Sequence, residues 1–536
     1  MGHDSLLLCH DATMCVTETT RIISPKKSIQ IQKSNIVTIQ IPIYINLYRY
    51  NTTTTVLDTP TMETLYQQVA DELQQSIERG IYQPGDRLPG VRRLSKQRSV
   101  SIATVITAYR HLENLGLIEA RNRSGYYLRD RPQPLAKEPL PTAPPNQPML
   151  VTGQAVVLNM GKASHDPSVI QLGAAVPDAS FLPIRAIERA ITQSARYHKN
   201  TVAAYEFPPG LPELRRQIAR RMAEAGCRVH PDEIVITNGC QEALSLALRA
   251  VTRPGDVVAV ESPTFYGLLQ VIDNLGLKAL EIPTHPRTGI SLEALELALE
   301  QWPIKACVVT PNFSNPLGSC MPDENKAGLV ALLDKHGISL VEDDVYGDLG
   351  FGSARPGSCK SLSPSGDILY CGSFSKTLAP GLRIGWIVPG RHQPQVEYMK
   401  YVLNLATPTI PQLAVAALLE GGQYERHLRK VKRDYALAVS RMSSKVMALF
   451  PEGTRITRPE GGFVIWVELP GNIDSLELAK RSMNHGISIA PGPIFSASQK
   501  YRNCIRLSCA CRWDDNTMKA LSTLAALLSR LEPETA

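Results

Sequence analysis

Residues Leu369–Trp386 read LYCGSFSKTLAPGLRIGW: an apolar run, a lysine-bearing loop, and the start of a second apolar run. The first run closes at Tyr370 in the manner of a buried strand, and the second is Ile384–Val388. Between them lie Ser373, Ser375 and Lys376, with Arg383 seven residues after the lysine. A lysine amine forms a Schiff base with an aldehyde. Two hydroxyls and a guanidinium suit a phosphate, which accepts charge-assisted hydrogen bonds. This is the equipment for pyridoxal 5'-phosphate (PLP), with Lys376 as the catalytic, covalently attached residue. Taken alone, S-x-S-K also fits a surface lysine in a Ser/Gly loop, so the remaining parts of such a site must occur elsewhere.

They occur in order along the chain. EIVITN (233–238) reads as a strand and CQEALSLALRAV (240–251) as a helix. Asn238, Gly239 and Cys240 therefore lie at a strand-to-helix turn, where free N–H groups suit a phosphate. ESPTFYG (261–267) offers an aromatic ring to stack on a pyridine, with Phe265 the choice and Tyr266 its neighbour. In NFSNPLG (312–318), Asn315 can donate to a phenolate oxygen. In EDDVYGD (342–348), Asp343 and Tyr346 follow a strand. A buried carboxylate facing the pyridine nitrogen keeps it protonated, and the tyrosine hydroxyl can reach the same phenolate as Asn315. Arg506, on the apolar strand CIRLSC (504–509), suits a carboxylate of a substrate or effector. Strand-like and helix-like runs alternate from Ile191 onward, which predicts an α/β domain with a largely parallel sheet and ligands at the carboxyl ends of its strands.

Upstream, Leu65, Val69, Leu73 and Ile77 recur every four residues, one face of a helix. LPGVRRLSKQ (88–97) predicts a short helix and SIATVITAYRHLENLGL (101–117) a second, with Ser101 as its N-cap. LIEARNRSGYYL (117–128) reads as strand, turn, strand. Three helices and a basic hairpin make a winged helix-turn-helix, whose second turn helix can enter the major groove of double-stranded DNA. From Arg79 to Arg131 there are eleven Lys/Arg against four Asp/Glu, a local charge of +7 that equals the formal net charge of the whole chain. Such basicity suits a polyanion.

The module resembles the DNA-binding domain of GntR-type bacterial regulators through LPGVRRLS, SVSIATVITAYRHLENLGLI and RNRSGYYL. The resemblance implies DNA contacts by Arg92, by Ser101, Ala103 and Thr104 in the groove, and by Arg123 and Gly125 in the wing. Ile102 departs from the family, which often has arginine there. Residues 170 to 515 resemble fold type I aminotransferases, and the chain from Met62 onward resembles the MocR subgroup of GntR regulators. That resemblance implies a Schiff base at Lys376, Asp343 on the ring nitrogen, and Asn315 and Tyr346 on the phenolate. It further implies Ser373, Ser375 and Arg383 on the phosphate, Arg506 on an amino-acid carboxylate, and Tyr205 (AAYEFPPG) on the phosphate of the other subunit's cofactor. Cys240 departs from it, since a hydroxyl residue is usual there.

The expected fold class is α/β: an N-terminal winged helix-turn-helix (62–130), a Pro-rich linker (131–150) and a PLP-dependent fold type I aminotransferase-like domain (151–536). Arg131–Pro148 has seven prolines in eighteen residues and, fully extended, would span about 55 Å. Residues 1–61 lack helical periodicity and read as a poorly ordered extension, with Met62 the expected true start. Eleven scattered cysteines without a paired C-x-x-C predict reduced thiols in the cytoplasm and no metal site. No run of eighteen apolar residues is present, so no membrane span is expected. The leading reading is a homodimeric, DNA-binding regulator that senses an amine, an amino acid or PLP itself. The alternative is a working aminotransferase with an attached head.

Overall fold

The computed structural model describes residues 65–78, 81–82, 85–114, 117–121, 124–128, 137–141, 144–151, 166, 168–363, 367–471 and 473–531. The expectations for residues 1–61, Met62 and Arg123 lie outside them.

In the head, α1 (Leu65–Glu78), α2 (Val91–Arg98) and α3 (Ile102–Asn114) precede the antiparallel hairpin β1 (Ile118–Arg121) and β2 (Gly125–Leu128). Val69, Leu73, Leu94, Val105, Tyr109, Leu112 and Ile118 form its core. Each fully buried aliphatic side chain contributes about 1.5–3 kcal/mol. Leu65, which the four-residue periodicity places on the buried face, is instead 61% exposed at the helix end. Ser99 ends α2 in the left-handed region (φ 51°), and Ser101 Oγ accepts the Thr104 N–H at 3.0 Å, the expected cap of α3. Tyr109 stacks on Tyr126 with centroids 4.5 Å apart, tying α3 to the wing.

The body is built on an eight-stranded sheet in the order β4-β11-β10-β9-β8-β5-β6-β7. The strands are β4 (Val235–Thr237), β5 (Val257–Ser262), β6 (Lys278–His285), β7 (Gly289–Ile290), β8 (Ile304–Val309), β9 (Ser339–Asp343), β10 (Ile368–Ser373) and β11 (Gly385–Val388). Neighbours from β10 through β6 are parallel. Both faces are covered, which explains the continuous apolar runs. Val258, Val260, Val308, Val341 and Leu369 pack with Leu244 and Leu248 of the helix Cys240–Val251. Leu280, Cys307, Val309 and Leu340 pack with Leu295, Leu329 and Leu333.

Two strands break the parallel pattern: the edge strand β7, antiparallel to β6, and β11. β11 runs antiparallel to both β10 and β4, because the segment 374–384 simply turns back on itself. That return places Lys376 and Arg383 at the end of the sheet where β9 and β4 also finish. Ser373 pairs with Gly385, Cys371 with Asp343, and Gly385 with Thr237. A smaller antiparallel sheet, β12-β13-β16-β15, follows the long helix Gln423–Leu449. Its strands are Arg455–Ile456, Val464–Glu468, Cys504–Ser508 and Ala490–Pro491, with Arg506 opposite Trp466.

The described part of the proline-rich segment is docked rather than free. Met149 and Ala279 exchange backbone hydrogen bonds at 2.8 and 2.9 Å along the edge of β6. Glu138 pairs with Arg287 at 2.6 Å, and the Lys137 carbonyl accepts the Ile456 N–H at 3.0 Å. The extended-spacer length of about 55 Å therefore does not apply to residues 137–141 and 144–151.

Candidate functional site

The cradle at the end of β4 comes from close backbone approach. Gly239 sits at φ 83°, just before the helix Cys240–Val251. A Cβ on it would lie 2.3 Å from Arg383 Nη2, and one on Gly385 would lie 2.6 Å from the Gly239 carbonyl carbon. Only glycine fits either place. Arg383, itself left-handed at φ 53°, donates from Nη2 to the Asn238 carbonyl at 2.7 Å. Ser373 Oγ lies 2.8 Å from Ser375 Oγ and accepts the Ser375 N–H at 3.0 Å. Two hydroxyls, a guanidinium and a helix N-terminus thus surround one spot, a donor set suited to an anion.

Across from it stand Lys376 and Asp343. Lys376 Nζ donates to the Ala175 carbonyl at 2.7 Å. Burial, then the Arg506 charge, pushes the amine down to about 8, against the pull of Asp343. Burial pushes Asp343 up to about 6, opposed by the Cys240 thiol, the Val345 N–H and Lys376. Cys240 does not face the anion cradle: Sγ donates to Asp343 Oδ1 at 3.4 Å. As a side-chain ligand of the phosphate it is therefore replaced by its role beside Asp343.

The turn that carries Asp343 and Tyr346 is clamped by buried charges. Asp344 Oδ2 accepts from Arg355 at 2.6 Å and from the Tyr370 hydroxyl at 2.7 Å. Asp348 accepts from Arg355, Arg221 and Tyr424 at 2.7, 3.0 and 2.8 Å. Burial works against the Asp348 charge, yet Arg355 and Arg221 hold its carboxyl well below the usual range. Breaking one partner of such a buried pair typically costs about 3–5 kcal/mol, so the turn is rigid.

Arg506 is fully buried on β16. Its Nη1 donates to Asn315 Oδ1 at 3.0 Å and its Nη2 to the Gly173 carbonyl, while Nε has no partner. The guanidinium lies 5.2 Å from the Phe495 ring and 5.9 Å from the Tyr266 ring. The Tyr346 hydroxyl is buried near Asn315 without a hydrogen bond of normal geometry. Two buried polar atoms without partners, Arg506 Nε and the Tyr346 hydroxyl, are costly unless a ligand satisfies them. The cradle, the opposed Lys376–Asp343 pair and these orphans fit a phosphorylated pyridine aldehyde.

The structure therefore brings together Asn238, Gly239, Cys240, Asn315, Asp343, Tyr346, Ser373, Ser375, Lys376, Arg383 and Arg506. Phe265 lies at the edge: its ring packs over Gly267, whose carbonyl accepts from Gln241, and Tyr266 is the aromatic nearer Arg506. Tyr205 is not brought in by its own chain. It is 69% exposed and stacks on Phe207, which packs on Tyr401. Nothing in the sequence points to the Ala175 and Gly173 carbonyls, because backbone acceptors leave no residue signature.

In the head, Arg92, Ser101 and Ala103 are exposed and Thr104 half-buried on the start of α2 and α3. Ser101 and Thr104 hydroxyls are 2.8 Å apart, so capping engages both. Ile102 is 49% exposed beside them. Gly125 (φ 117°) has Arg87 packed against it, with a hypothetical Cβ 3.3 Å from Nε.

Comparison with known proteins agrees with this geometry. Residues 167–524 match the aminotransferase class I and II family, and residues 65–128 match the bacterial regulatory proteins of the gntR family. The uncharacterised HTH-type transcriptional regulator YjiR of Escherichia coli is 42% identical over 469 residues, 87% of this chain and 99% of that protein. Among solved structures, the kynurenine aminotransferase of Pyrococcus horikoshii, in complex with PMP, is similar at TM-score 0.66 and 28% identity, over 71% of this chain and 96% of that one. LysN, the α-aminoadipate aminotransferase of Thermus thermophilus, is similar at TM-score 0.65 and 28% identity, over 72% and 96%. With a class I and II aminotransferase body behind a gntR-type head, the chain belongs to the MocR-like group of gntR-family transcriptional regulators.

Proposed function

We propose that this regulator holds PLP at Lys376 and uses the cleft to sense an amine, an amino acid or PLP itself, changing how its heads engage double-stranded DNA. The observation that carries the reading is the opposed Lys376–Asp343 pair beside the Gly239–Arg383 cradle, in a chain that also bears a winged helix. When bound, PLP supplies an aldehyde that exchanges amines and a ring that draws electrons. Ser373, Ser375, Arg383 and the backbone of Asn238, Gly239 and Cys240 hold its phosphate. Asp343 keeps the ring nitrogen protonated, Asn315 and Tyr346 meet the ring oxygen, and Phe265 flanks the ring. Arg506 takes the effector carboxylate; its orphaned Nε supports that role. Arg92, Ala103, Gly125 and Arg123 serve DNA.

A homodimer belongs to this reading. Tyr205, Phe207, Tyr398, Tyr401, Val402 and Leu403 are between 47% and 69% exposed. Exposed aromatic and aliphatic side chains in such density favour a protein interface, and Tyr205 there would reach the partner's cleft. Paired heads then read two half-sites. An amine bound beside Lys376 would change the charge and hydrogen bonding that Lys376, Asp343 and Arg506 meet, which would shift a two-state equilibrium of the body. The second reading, steady transamination, is favoured by the intact set of Lys376, Asp343 and Arg506.

The test is direct. Purified protein with PLP should show visible absorbance that borohydride fixes to Lys376 and that Lys376→Ala removes. Duplex binding should change when candidate amines are added to the unaltered protein but not to that variant. Sustained keto-acid production with no salt-sensitive DNA binding would turn the assignment to the enzyme.

A further inference from the structure

The long helix Gln423–Leu449 carries a charge pattern that the cleft does not use. It has seven Lys/Arg against two Asp/Glu, Glu425 and Asp434, a local charge of 7 − 2 = +5. Residues 132–536 have 41 Lys/Arg against 38 Asp/Glu, a net +3, so without this helix the body carries 3 − 5 = −2. The helix is thus a concentrated basic surface on a body that is otherwise net acidic.

Its cations are sorted by face. Tyr424, Leu428, Val431, Tyr435, Met442 and Val446 are buried. Arg426, Arg429, Lys430, Arg433, Arg441 and Lys445 are exposed. At 100° per residue these six fall within about 160° of the helix circumference, opposite the buried stripe. Lys430 pairs with Asp434 at 2.9 Å. Arg429, Arg433, Arg441 and Lys445 have no acidic partner among the described residues. Arg441 also lines a surface cleft with Asp434, Arg512 and Trp513, where Arg512 is paired with Asp514 at 3.5 Å. A solubilising helix face normally interleaves both signs in similar number; this one sets a single carboxylate, Asp434, among six cations.

We propose that this face is a second contact with the DNA duplex, made to its phosphates beyond the footprint of the head. Charge complementarity selects the partner, and length fits it. From Arg426 to Lys445 the helix rises about 29 Å, close to the roughly 34 Å of one duplex turn. Mixed donors without a planar, base-reading arrangement suit the backbone rather than a sequence. The body would then share the load of holding DNA, and any movement of the body would be transmitted to the duplex as bending or release. This inference rests on the regulator reading.

The experiment uses the full chain and a duplex selected by it from random sequence. One form is trimmed to the head's protected footprint; the other is lengthened by about two turns on each side. The unaltered protein should bind the longer duplex with the steeper salt dependence. Changing Arg429, Arg433, Arg441 and Lys445 together to glutamine should lower the salt slope on the long duplex by about 3–4, near 0.9 for each phosphate no longer neutralised. It should leave the short duplex unchanged, and changing only the three arginines to lysine should keep the slope of the unaltered protein. Equal behaviour of the unaltered protein on both lengths, or equal weakening of the glutamine variant on both, overturns this inference alone. Failure of the unaltered protein to bind either duplex overturns the regulator reading with it.

Discussion

In the head, Arg92 and Ala103 stand exposed at the starts of α2 and α3. In the body, Arg506, Asp343, Asn315 and Tyr346 are less than a tenth exposed; Arg506 is held by the Asn315 side chain and a buried carbonyl, and Asp343 accepts from a thiol. The head offers its working groups at little energetic cost and can change them freely. The cleft stores unfavourable burial in a lysine pushed to about 8 and a carboxyl pushed to about 6. A surface that reads a polymer gains from many small contacts, whereas a cleft that reads one small molecule concentrates its selectivity in a few desolvated groups.

The contrast can be broken most forcefully at Arg506. Arg506→Gln should weaken an amino-acid effector by about 100-fold, the removal of two charge-assisted hydrogen bonds at roughly 1.5 kcal/mol each, as read by titrating the visible spectrum. An unchanged titration would mean that the effector carboxylate is held elsewhere. Asp343→Asn should weaken PLP by about 30-fold, measured by equilibrium dialysis, with the visible band shifted because the ring nitrogen loses its anionic partner. The attachment rate of PLP should climb about tenfold per pH unit below pH 8 and level above it. The reason is that the neutral amine is the nucleophile and Lys376 sits at about 8 rather than at its ordinary 10.5. A rate still climbing at about pH 9.5 would contradict that depression.

The smallest effect belongs to the head. Ser101→Ala should cost about 1 kcal/mol of head stability, the usual worth of an N-cap, while leaving sequence preference unaltered, as judged by thermal melting and by selection from random duplexes. A changed sequence preference would move Ser101 from capping to base reading.

Much of this is legible in the amino-acid sequence. The helix Cys240–Val251 falls on the expected residues and the strand Val235–Thr237 lies within the expected 233–238, since an amphipathic helix writes its period, and a buried strand its apolar run, into the chain. Lys376, Asp343 and Arg383 stand out because chemistry dictates their type. The antiparallel insertion of β11 is not legible, because direction within a fully covered sheet changes no side-chain pattern. Nor is the docking of residues 137–141 and 144–151: proline content signals extension but not what the extended chain lies against. Cys240 is visible as a departure, yet only the folded chain reveals that its thiol turns to Asp343. The basic face of the long helix hides behind a single total, +7, that the window 79–131 already matches; charge taken helix by helix exposes it.

The back-to-back meeting of Gly239 and Gly385 has a mechanical meaning. An anion gripped there is gripped by the ends of two paired strands, and letting go would require prising the sheet apart. A ligand held there by its anion would be fixed at that end alone, as a door is at its hinge post, leaving its far end to be set by the other walls of the site.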